Sequence, residues 1–190
     1  MPETLTRPDI AALCARYRLS EEALALVQPE QDERAFVGAL LAGEKFADAV
    51  RFMAATLPIR ESVWWAWSCA RRTLPPEPPA AVLAAMDATE RWIAQPTEEN
   101  RRPTLAASEA ADLGTPAGAA AFAAFFSGGS ISPPEAPHVP APAGAAARAV
   151  AGSVILSAVS PPPELAPDRF RQFVAQAMEV AVRIRLWPPA

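Results

Sequence analysis

Residues 29–58 read PEQDERAFVGALLAGEKFADAVRFMAATLP. Phe36, Val37, Leu40 and Leu41 share one face at helical spacing, and Phe46, Ala49, Val50, Met53 and Leu57 repeat that spacing after a break at Gly43. The stretch therefore predicts two helices joined by a tight turn, as in an antiparallel helical hairpin. It resembles one unit of a helical repeat, but no second copy follows at a fixed period.

The same periodicity extends in both directions. Upstream, residues 8–18 predict a short helix, and Ser20 followed by Glu21 and Glu22 supplies the cap and acidic first turn of another, ending near Val27. Downstream, Pro58 opens a helix that runs to an arginine pair, LPPEPPA forms a stiff connector, and a further helix spans about residues 79–95. Val82, Met86 and Ile93 form its apolar stripe, with Trp92 beside it. Thr97 caps the following segment, TEENRRPTLAASEAADLG, in which Pro103 disturbs the first turn and Gly114 is the expected stop. Thr115 and Pro116 start an alanine-rich helix that Gly128 and Gly129 end. Two more helices, about residues 143–159 and 167–187, close the chain.

No alternating run is long enough for a strand, so the expected fold is all-α, a single compact bundle of about ten helices over residues 1–190. Its parts are N-terminal helices (8–74) with a repeat-like hairpin character, a proline-rich connector (75–79), middle helices (80–127), a proline- and glycine-rich loop (128–142) and a C-terminal helix pair (143–187). An irregular loop of that length is uncommon inside a compact domain unless it is packed or functional.

Composition narrows the function. With 190 residues, 51% hydrophobic and 20% charged, the chain is long enough to bury its own core without disulfides or metal. A net charge of -4 argues against a nucleic-acid or anionic-membrane partner. Cys14 and Cys69 lack CxxC spacing and read as small buried hydrophobes. The N-terminus has acids and prolines where a signal peptide needs a basic start and an apolar run, and no stretch reaches about 20 apolar residues. A cytoplasmic location is the expectation.

The segment PIRESVWWAWSCARR, residues 58–72, carries Trp64, Trp65 and Trp67. At about 100° per residue, Ile59, Val63, Ala66, Cys69 and Ala70 group on one side, flanked by Trp65 and Trp67. Trp64 falls in the polar face, between Arg60, Ser68 and Arg71. Either the helix is buried on nearly all sides and its arginines meet neighbouring carboxylates, or Arg60, Trp64 and Arg71 form an exposed patch of residue types enriched at binding hot spots. The loop around His138, the sole histidine, extends that candidate surface, and packed over the tryptophans it would seal the bundle or form one wall of a binding groove.

Catalytic signatures are missing from the sequence. One histidine cannot build a zinc site without further ligands, and neither cysteine is near it in sequence. SGGS, residues 127–130, follows a helix where a phosphate loop precedes one. The acidic pairs Asp32/Glu33, Glu21/Glu22 and Glu98/Glu99 sit in first turns, where the helix dipole accounts for them. No catalytic residue, metal ligand or cofactor is expected.

LPIRESVWWAWSCAR, RWIAQPTEENRR, AAAFAAFFSGGSISPP and ARAVAGSVILSAV, in that order, resemble an uncharacterised bacterial domain-of-unknown-function family of small helical proteins, over about residues 20–187. Pro103 departs from the uninterrupted helix that the resemblance implies after ENRR. Members of that family often accompany type VI secretion genes, which implies an accessory or adaptor role, or an immunity-like one. The leading expectation is a non-catalytic module that binds a protein partner. Alternatives are an immunity protein, for which residues 20–50 hold seven acids against two bases, and a small-molecule binder or enzyme with a pocket around Trp64 or His138.

Overall fold

In the computed structural model, which describes residues 9–188, side-chain oxygens start several of the helices where the sequence places them. Ser20 Oγ accepts from Ala23 N at 3.1 Å, Asp32 from Ala35 N at 2.7 Å and Thr115 Oγ from Gly118 N at 3.0 Å. These caps open α2 (Glu21–Leu24), α3 (Glu33–Ala42) and α9 (Pro116–Phe125). Asp9 caps α1 (Ile10–Arg16). The start expected at Pro8, and the part of the signal-peptide reading that falls on residues 1–8, lie outside the described residues.

The hairpin that decided the fold class forms as α3 followed by α4 (Phe46–Thr56). Its turn differs in one respect: Gly43 has φ -82°, and the left-handed residue is Glu44 at φ 56°. Lys45 N donates to Leu40 O at 2.8 Å and Glu44 N to Leu41 O at 3.2 Å, which closes a Schellman motif one residue beyond the glycine. The tryptophan segment is α5 (Ile59–Arg72), and α6 spans Ala80–Ala94.

After Thr97 the backbone runs through α7 (Glu98–Arg101) and α8 (Pro103–Ala110), with Arg102 in right-handed helical geometry between them. Proline at the first position of α8 removes one amide donor and divides the segment. The expected stop at Gly114 falls earlier, because Asp112 takes φ 67°. A Cβ on Gly118 would lie 2.1 Å from the Asp112 carbonyl oxygen, so only glycine admits this approach of the α8–α9 turn to α9.

Residues 126–144 form the irregular loop, with one isolated antiparallel bridge between Ser130 and Pro140. Then come α10 (Ala145–Val159), a 3-10 turn (Pro163–Leu165) and α11 (Ala166–Arg183). The fold is an all-α single domain, with eleven α-helices among the described residues.

The alanine-rich α9 is the central helix: Ala117, Ala119, Ala120, Ala121, Ala123 and Ala124 are all buried, and α5, α6, α8 and α10 pack around it. Small side chains let those four helices approach closely. Two apolar clusters result. The larger joins the hairpin α3–α4 to α5, α10 and α11 through Phe36, Phe52, Trp65, Val154 and Phe173, while the smaller joins α5, α6, α8 and α9 around Ala70, Met86, Ala111 and Ala121. Ser153 of α10 donates to Pro116 O at 2.8 Å, so the polar group buried between α9 and α10 is satisfied.

Candidate functional site

Helix α5 divides its three tryptophans by role. Trp65 is fully buried and its indole N–H donates to Phe173 O of α11 at 2.8 Å. Trp67, half-buried, donates to Met86 O of α6 at 3.1 Å. Trp64, also half-buried, packs against the edge of the larger cluster. It is therefore neither enclosed on all sides nor fully presented to solvent.

The arginines beside it are engaged elsewhere. Arg60 donates from Nε to Ile93 O at 2.7 Å, binding a last-turn carbonyl of α6. Arg71 stacks its guanidinium over Trp67, 5.2 Å from the ring centroid, rather than over Trp64. Ser68 accepts from Gln176 of α11 at 2.7 Å. Arg60, Trp64 and Arg71 thus stand on the outer part of one helix, each tied to a different neighbour.

His138 is placed apart from Trp64. It is exposed in the loop and lines a groove of about 550 Å³ whose other walls include Tyr17, Leu57, Ile59, Phe126 and Pro142. Ile59 belongs to the first turn of α5, so the loop covers the corner between α4 and α5, and Trp64 is not among the groove's lining residues.

The loop's base is held by Arg101 and Arg102, to which the sequence reading gave no role, and by Glu98, which it assigned to a helix first turn. Arg101 is buried, and its guanidinium hydrogen-bonds Glu98 through two nitrogens at 2.6 and 2.8 Å. It also donates to Phe125 O, at the end of α9, and to Ser130 O at 2.7 Å, while lying 4.8 Å from the Phe125 ring centroid. Arg102 pairs with Glu98 at 2.7 Å and donates to Ser132 O at 2.8 Å. Hydrogen bonding from Arg101, reinforced by the charge of both arginines, holds the Glu98 carboxyl below the usual carboxylate range. At Gly129, φ 64°, a Cβ would come within 3.0 Å of Glu98 and at 3.0 Å from Arg101, so the glycine lets the chain pass over the pair.

Ser130 and Ser132 close the loop on itself. Their hydroxyls lie 2.6 Å apart, Ser132 Oγ donates to Pro137 O at 2.6 Å, and Val139 N donates to Ser130 Oγ at 3.1 Å. The tip, Pro133, Pro134, Glu135, Pro137, His138 and Val139, faces solvent. What results is a proline-rich projection with an ordered base. The sequence signals for it were present as two separate motifs, TEENRR and FFSGGS, but their contact spans nearly thirty residues and no local pattern links them.

Of the seven acids in residues 20–50, Glu33 and Asp48 are buried, Asp48 accepts from both the amide and the hydroxyl of Ser20, and Glu44 faces Arg171 at 3.5 Å. Cys14 and Cys69 are buried free thiols. No three His, Cys, Asp or Glu side chains gather among the described residues, and none of the described helices is long and apolar enough to cross a membrane.

Comparison with family models matches residues 36–181 to a family of unknown function. That span runs from α3 into α11 and includes the tryptophan helix, the Glu98–Arg101–Arg102 cluster and the loop that it holds. No curated protein and no solved structure matches the chain.

Proposed function

The chain belongs to the DUF6931 family of unknown function, and from that premise we propose that it is a protein-interaction module whose contact element is the proline-rich loop. The observation that carries this reading is the buried Arg101, whose hydrogen bonds to Glu98, Phe125 O and Ser130 O support a solvent-facing tip. An ordered loop loses less conformational freedom on binding than a free one, so its surface is pre-organised for a partner. Proline at 133, 134, 137 and 140 adds to that stiffness. Extended proline-rich segments are a recurrent recognition element for the same reason. An accessory or adaptor role beside a type VI secretion apparatus is the role that the family resemblance implies.

A photo-crosslinking residue at Val139, tested in cells that encode the protein, addresses this directly. The control position is Leu83, which lies on α6 and is exposed to a similar degree, 43% against 44%. A discrete adduct from Val139, absent from Leu83 and weakened by Arg101→Gln, supports the loop as the contact. Equal adducts from both positions, or none from Val139, retire it. The adduct's identity decides the secretion role separately.

A further inference from the structure

Tyr17 and Ala147 line two clefts at once. One is the groove beneath the proline-rich loop, where Leu57, Ile59 and Phe126 stand beside Ser127 and His138. The other, about 350 Å³, gathers Arg18, Arg51 and Arg148 around a floor of small and apolar side chains on α10. Positive charge is thus concentrated in one of two clefts that share Tyr17 and Ala147, in a chain whose net charge is -4.

The arginines are placed by backbone features. Arg18 takes φ 54° in the turn after α1, where Leu19 N donates to Cys14 O at 3.0 Å. Arg148 and Tyr17 both approach Gly144, φ 72°, where a Cβ would be 3.0 Å from Arg148 Nη1 and 3.2 Å from Tyr17 Cε1. Arg51 is partly neutralised by Asp48 at 3.1 Å. Among the described residues neither Arg18 nor Arg148 has a carboxylate within ion-pair distance.

From this we infer that the joined clefts bind an extended peptide segment of a partner protein, its apolar side chains beneath the loop and its carboxylates on Arg18, Arg51 and Arg148. Guanidinium groups match carboxylates in geometry as well as charge. A nucleic acid fits less well, because the arginines end at Tyr17 and no arginine or lysine lines the groove beyond it. The inference rests on the interaction reading above and names the chemistry of the partner.

Peptide display against the whole chain, followed by fluorescence anisotropy of the recovered peptides, tests it. Recovered sequences are expected to carry an acidic run beside apolar residues. Combining Arg18→Glu with Arg148→Glu should weaken them by about tenfold or more, and added salt should weaken the native complex. Gly152→Gln provides a second variant: its Cβ meets nothing within 4 Å, so it obstructs the cleft while the fold is kept. Thermal melts of each variant confirm that fold. Recovery of no peptide, or of peptides indifferent to charge reversal and to Gly152→Gln, overturns the inference. If Val139 still yields its adduct in the charge-reversed protein, the loop reading stands while this one falls.

Discussion

Cys14 shows how far a single residue reports its surroundings. Burial, with the nearby Asp48 carboxylate adding to it, pushes its thiol up from 9.0 to about 11. Burial pushes Cys69 up as well. Between pH 9 and 11 the unfolded chain releases the Cys14 proton while the folded chain keeps it. The stabilising effect is therefore complete below pH 9 and is lost as pH rises through the folded value. We expect stability in urea to fall between pH 9 and 11, by roughly 1–2 kcal/mol from this thiol. Cys14→Ala should lessen that slope and leave the part due to Cys69, and an unchanged slope would show that the Cys14 thiol does not contribute. The sequence already marked both cysteines as small hydrophobes, but the Asp48 contribution follows from packing between α1 and α4.

At the scale of the element, α5 separates residues that the helical wheel could only rank. The wheel grouped Ile59, Val63, Ala66, Cys69 and Ala70 on one side; the last four are buried and Ile59 is partly buried. It put Trp65 at an edge, whereas α11 folds over that edge and buries it completely. Trp65→Ala should cost about 3–5 kcal/mol, because a large cavity opens and Phe173 O loses a donor. Trp64→Phe keeps an aromatic ring at a half-buried site and should cost under about 1.5 kcal/mol. Urea melts give both values, and acrylamide quenching should show a partly shielded component that Trp64→Phe removes. Equal costs for the two substitutions would contradict this division of roles.

Across the whole molecule, α5 and α9 each contribute to both apolar clusters, through Cys69 and Ala70 on one and Ala120 and Ala121 on the other. Clusters that share two helices should not melt separately. Met86→Ala in the smaller cluster and Trp65→Ala in the larger should lower the same cooperative transition, with far-UV dichroism and tryptophan fluorescence coinciding in each. Substitution of Met86 should cost about 2–5 kcal/mol. Two resolved transitions, one moved by each variant, would show the clusters to be independent.

Local chemistry was enough for the fold class. Helical spacing of apolar residues, caps such as Ser20, Asp32 and Thr115, and prolines between segments act within a few residues of themselves, so the order and approximate bounds of the helices were legible in the sequence. Neighbourhood across the fold was not. Arg101 and Arg102 could be placed near a helix start, yet their partners, Phe125 O, Ser130 O and Ser132 O, lie 24 to 30 residues away and meet them only when α7 and α9 pack together. In the same way Tyr17, Arg51 and Arg148 come from three separate helical regions, and tertiary packing alone brings them to one cleft. The sequence by itself determined the helices because their hydrogen bonds and apolar faces are short-range, and tertiary structure decided the candidate surfaces because they are made of side chains from distant segments.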